Sequence, residues 1–157
     1  MTLKKNKLAF SLLTALFFSL PISQTFAHEH HCDIKETELG NTMKYIKSEL
    51  RAYNKGFDSE DKAEMKEHAG ELVKLTAKAE TLIPASIAIT NHAEKVEDLT
   101  AEQKAKFVQY QEEMSELNET FIALSETTDE TEIETLLGKV KEHTKTGHQQ
   151  FRLDCKK

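Results

Sequence analysis

Apolar residues recur along most of this chain at steps of three and four, the spacing of amphipathic helices that share a core. Cys32, Leu39, Met43, Ile46, Leu50, Tyr53 and Phe57 form a first stripe. Gly56 followed by Asp58-Ser59 reads as a helix stop and a new N-cap. Met65, Ala69, Leu72, Thr76, Ala79 and Ile83 form a second stripe, which Pro84 ends because proline lacks the N–H and restricts its predecessor. Residues 85–99 hold Ile87, Ile89 and Val96 without clear periodicity, and are expected to be a longer connection with some helical turns. Thr100 and Gln103 then spell a capping box, in which two side chains satisfy free backbone N–H groups. The third stripe is Phe107, Tyr110, Met114, Leu117, Phe121 and Leu124. Thr127-Thr128-Asp129 breaks the pattern and caps a fourth, with Ile133, Leu136, Leu137, Val140, Thr144, His148, Phe151 and Cys155. The pattern predicts helices over 33–56, 59–83, 100–126 and 129–155, and no internal repeat or domain boundary. Four such helices with mostly short joints predict an all-α, up-down-up-down antiparallel four-helix bundle.

The first 27 residues stand apart. Lys4, Lys5 and Lys7 precede an apolar run from Leu8 to Leu20, then Pro21 and Thr25-Phe26-Ala27. That run suits the core of a signal peptide and is short for a membrane span. Cleavage after Ala27 is expected, leaving residues 28–157 as one domain without stable membrane association; the bacterial spelling of the signal points to the periplasm. Loss of the three lysines takes the formal charge from −6 to −9. An acidic protein of this kind is a poor partner for nucleic acid, which needs basic stripes to displace phosphate counterions. The five glycines, two prolines and absent tryptophan fit helices better than sheets.

Export also changes the reading of the two cysteines. Cys32 and Cys155 lie at opposite ends of the mature chain, and an even count in an oxidising compartment points to a disulfide. In the up-down topology the two ends meet. The bond would close a loop worth roughly 4–5 kcal/mol in the chain-entropy model.

Met43 and His148 are the residues on these stripes with cofactor chemistry. Met43 is about 16 Å along a helix from Cys32, and His148 about 10 Å from Cys155. Both are expected in the same end of the bundle on neighbouring helices, turned into a shared space. A methionine in such a stripe is ordinarily core filler and a lone histidine ordinarily a hydrogen-bonded core residue, so spacing alone names no cofactor.

Leu39-Gly-Asn-Thr-Met43, followed by Lys-Tyr-Ile-Lys, resembles the opening of the cytochrome b562 family. Thr144-Lys-Thr-Gly147-His148-Gln-Gln-Phe151-Arg152 resembles its closing segment. The likeness extends over about residues 33–153, with a proline near the end of the second helix and Phe107 on the inner face of the third. It implies a soluble periplasmic electron carrier, not an enzyme, with Met43 and His148 as axial ligands of one b-type haem and Arg152 as a basic residue beside it. The related cytochromes c′ carry CxxCH at the ligand histidine. Thr144-Lys-Thr-Gly147-His148 has no cysteine, so the haem would be held non-covalently. Met–His ligation keeps iron six-coordinate and raises its potential. Three departures stand out: Gly147 replaces an aromatic residue of the family, the cysteine pair and the histidine-rich start are extra, and the segment from Ile83 to Ile89 is more apolar than the family's loop, suited to covering the haem or to a dimer surface.

A second candidate site is the mature N-terminus, His28-Glu29-His30-His31-Cys32. A free amine, two deprotonated amides and the imidazole of His30 in third position form the square-planar nitrogen set that Cu(II) and Ni(II) prefer. His28 and His31 flank it, although a short histidine-rich tail is also a common remnant of processing. The competing readings are therefore a haem-free, copper-binding bundle and a cofactor-free interaction bundle of envelope stress. His68, His92 and His143 are scattered, with His143 on the outer face of the last helix. The redox partner and the choice between monomer and dimer are open, and no nucleophile–base pair, phosphate loop or HExxH is present.

Overall fold

A computed structural model of the chain describes residues 37–90 and 92–153. The protein is all-α: the described residues contain no strand. The elements are α1 (Glu38–Asp58), α2 (Lys62–Glu80), the single turn α3 (Ala85–Ala88), a 3-10 turn (Val96–Asp98), α4 (Ala101–Glu126) and α5 (Glu130–Phe151). Each long helix starts at a side chain that accepts hydrogen bonds from the free N–H groups of its first turn. Thr37 Oγ1 accepts from Gly40 N, Asp61 from Ala63 N and Glu64 N, and Asp129 from Glu132 N. Thr100 and Gln103 form the reciprocal pair that the capping box predicts.

Several boundaries differ from the pattern; α5, expected to reach 155, ends at Phe151, where Arg152 turns to an extended conformation as its C-cap. Gly56 does not stop α1, which runs on to Asp58. It is buried instead where α2 crosses: a Cβ there would meet Met65 Cγ and N at 3.2 Å. Glycine is required by that close approach rather than by a turn, and the left-handed residue of the joint is Glu60, with φ 57°. Consequently α2 is capped by Asp61, not by Asp58-Ser59. At the other end α2 stops at Glu80, and Pro84 supplies the N-cap position of α3.

Cross-helix bonds fix the register. Glu38 pairs with Lys78 at 2.9 Å and Glu49 with His68 at 2.7 Å, so α1 and α2 form an antiparallel hairpin. Tyr110 Oη donates to Ala79 O at 2.8 Å, and Asn118 Nδ2 to Val73 O and Thr76 Oγ1, each at 2.7 Å. The α4–α2 seam is therefore antiparallel as well. Phe151 meets Tyr110 edge-on, with ring centroids 5.4 Å apart, and α5 folds back along α4. Close packing thus runs from α1 to α2, α2 to α4 and α4 to α5. Its centre is formed by Tyr53, Leu72, Thr76 and Phe121, all fully buried.

The two buried phenols of this core differ in partners. Tyr110 Oη satisfies the carbonyl of Ala79 at the end of α2, and burial together with the charge of Glu80 holds its pKa far above the usual value. Tyr53 is 0% exposed, yet its Oη has no hydrogen-bond partner among the described residues. An unmade buried hydrogen bond costs about 1–3 kcal/mol. Tyr110→Phe should therefore lower the unfolding free energy by about that amount, while Tyr53→Phe should be neutral or stabilising in urea denaturation. Equal losses in the two variants would refute the assignment.

Candidate functional site

The region between α2 and α4 gathers helix ends. Gln103, buried at the start of α4, donates from Nε2 to Ile87 O at 2.7 Å and to Thr90 Oγ1 at 3.1 Å. Ile87 and Leu99 are themselves buried, which accounts for the apolar composition of a stretch that lacks helical periodicity. Ser86 Oγ donates to Phe151 O at 2.6 Å, which ties α3 to the last residue of α5. Through Lys78, Ala79 and Tyr110, the start of α1 and the end of α5 stand at the same level.

Met43 lies five residues into α1, about 8 Å below Glu38, and His148 three residues before the end of α5, about 5 Å below Phe151. Both candidate ligands therefore belong to this one end. Leu39, Met43, Leu50 and Phe57 on α1, and Leu137 and Phe151 on α5, are only half-buried against the core. The buried residues of α5 are Ile133, Leu136 and Val140; none follows Val140. Close backbone packing of the kind that joins the other neighbouring helices does not join α1 to α5. Beyond Val140 the α5 stripe continues through Thr144 and His148, both exposed, to the half-buried Phe151.

His148 accordingly differs from its reading as a core residue: it is exposed. Its pKa is still lowered from the ordinary 6.5, first by partial desolvation and then by the positive charge of Arg152. The Arg152 N–H caps α5 by donating to His148 O at 3.3 Å, so the guanidinium is carried one turn beyond the imidazole. No hydrogen bond engages the imidazole among the described residues. It is thus biased toward the neutral form, whose lone pair binds metals. Met43 offers a thioether on the half-buried α1 strip. A thioether on α1 and an imidazole on α5, with a guanidinium one turn beyond it, are donor types that ligate iron. Cys32, Cys155, His28, His30 and His31 lie outside the described residues, as does the expected signal segment.

A second set of side chains, not singled out by pattern, meets across α4 and α5. His143 Nδ1 lies 3.8 Å from Glu113 Oε2 and 4.0 Å from Glu116 Oε2. The Glu113/Glu116 spacing puts two carboxylates on one face of α4, which is legible in the sequence. That His143 turns toward them depends on the rotation of α5 about its own axis. His68 is paired with Glu49, and His92, with φ 51°, occupies the α2–α4 connection. The chain matches no protein-family model, no curated protein and no solved structure.

Proposed function

We propose that this chain is an exported b-type cytochrome: an up-down-up-down antiparallel four-helix bundle that holds one non-covalent haem between Met43 and His148 and transfers electrons in the periplasm. The observation that carries the reading is that Met43, half-buried on α1, and His148, exposed on α5, stand at the same end of the molecule, on two helices that do not pack closely on one another. The antiparallel register of α1 on α2, α2 on α4 and α4 on α5 supports the bundle topology. The likeness of residues 39–47 and 144–152 to the cytochrome b562 family names the cofactor.

When bound, the haem would supply reversible one-electron chemistry. The chain's share is to bind, orient and insulate. His148 would supply nitrogen and Met43 sulfur to the iron, a donor pair suited to electron transfer rather than to binding oxygen. Leu39, Leu50 and Phe151 give the apolar walls that exclude water. Arg152 supplies positive charge for a carboxylate at the rim. Protein purified from its native compartment should be red and give a b-type pyridine haemochrome spectrum. Colourless protein that takes up no added haem would leave a haem-free bundle, with the N-terminal histidines as its metal site.

The His148 pKa fixes a pH dependence. Because the folded value lies below 6.5, the imidazole stays neutral through the neutral range. Haem affinity of the apoprotein should be flat from about pH 8 to 6.5 and fall below that, as protons compete for the lone pair. Stability of the apoprotein moves in the same sense: the unfolded imidazole takes up its proton first, so this small contribution is complete above 6.5 and disappears as pH falls through the lower folded value. Spectrophotometric haem titration at stepped pH checks this. Affinity already lost between about pH 8 and 7 would exclude His148 as the ligand.

A further inference from the structure

The geometry points to a second metal site, independent of the haem reading: a borderline divalent cation of the zinc class bound by His143 of α5 together with Glu113 and Glu116 of α4. One ligand atom from each of the three residues lies within 4.8 Å of the others. Zinc binds imidazole nitrogen and carboxylate oxygen at about 2.0–2.2 Å, which in a tetrahedral shell sets ligand atoms roughly 3.3–3.6 Å apart. The present spacings of 3.8 and 4.0 Å exceed that by about half an ångström. Rotation of Glu116, whose side chain is 66% exposed, can close part of the gap without moving either helix.

Three features separate this cluster from an ordinary solvated acidic face. The imidazole and the Glu113 carboxylate are mostly withdrawn from water, at 22% and 28% exposure. Neither separation is a hydrogen bond, so the imidazole is not held there by accepting or donating a proton. Among the described residues no lysine or arginine comes within ion-pair distance of Glu113 or Glu116. Lys139 lines the same open recess, with Glu119, Thr120 and Leu136, and among the described residues the cationic partner of the two carboxylates is His143, when it is protonated. Two like charges on one helical turn are destabilising unless a cation lies between them. The recess at His143 and Glu116 gives water access for the remaining coordination position.

The donor set also selects. An imidazole disfavours Ca²⁺ and Mg²⁺, which take oxygen ligands, and suits Zn²⁺ or a similar borderline ion. A cation there would clamp α5 to α4 about midway along their seam, next to the half of α5 that has no fully buried residue.

The test is calorimetric titration of zinc chloride into the purified protein with His28→Ala, His30→Ala and His31→Ala, so that the N-terminal tail contributes nothing. One zinc per chain should bind with Kd on the order of 10 μM. Adding His143→Ala should weaken binding at least about thirtyfold, and Glu113→Gln or Glu116→Gln about tenfold each. Calcium chloride should give no measurable binding. Saturating zinc should raise Tm by about 5 °C in the parent and not in the His143→Ala variant. None of the three residues belongs to the buried core, and unchanged helical circular dichroism verifies that the variants are folded. Equal zinc affinity with and without His143, or calcium binding as tight as zinc, would overturn the site. Haem content is read separately and should be the same in every variant.

Discussion

His148→Ala should abolish haem binding, weakening it by more than about a hundredfold in a Soret titration of the apoprotein. The imidazole is the stronger of the two donors, and its replacement leaves the α5 strip with nothing but Thr144 and Gly147 beside it. The variant should fold normally, because His148 is exposed and contributes no core contact. Met43→Ala should behave differently. It removes the weaker donor from the half-buried side, so the protein should retain haem through His148, with a shift toward high spin and a lower potential. The contrast between the two variants is the informative result. Identical spectra for wild type and His148→Ala would sink the cytochrome proposal, and a Met43 variant that loses haem as completely as the histidine variant would reverse the assigned ligand strengths.

Phe121→Ala should cost about 3–5 kcal/mol of unfolding free energy. Phe121 is 0% exposed and lies in the C-terminal part of α4, the helix that packs on both α2 and α5. Truncation removes the transfer energy of the ring and leaves a cavity that close-packed neighbours on two sides cannot collapse into. In a domain of this size that corresponds to a Tm lower by roughly 10–20 °C. Val108, on the same helix but half-exposed, is the control, and Val108→Ala should change stability by less than about 1 kcal/mol. Urea midpoints at constant m-value give both numbers. A loss below about 1 kcal/mol at Phe121 would mean that α4 is not the central helix of the core.

The sequence by itself determined the four long helices and most of their buried faces. Period-3.6 stripes can bury their apolar side only as helices, so Leu72, Tyr110, Phe121 and Val140 are legible as core without coordinates. The caps at Thr100 and Asp129 were equally legible, because the N–H groups they satisfy lie two or three residues away. Local chemistry was less decisive where packing competes with it. Gly56 has the spelling of a helix stop, but the close passage of Met65 holds it inside α1. Residues 85–99 lack periodicity because separate partners fix them: Gln103 at the start of α4 donates to the carbonyl of Ile87, and the Ser86 hydroxyl donates to Phe151 O at the end of α5.

Tertiary structure alone decided how far each stripe is covered. His148 continues the α5 stripe in sequence, yet it is exposed because α1 and α5 do not close over it. The same step brings Glu113, Glu116 and His143 together from two helices. Periodicity specifies which residues share a face of one helix. It does not specify the rotation and separation of that helix against another, which depend on the volumes of all the side chains at the seam.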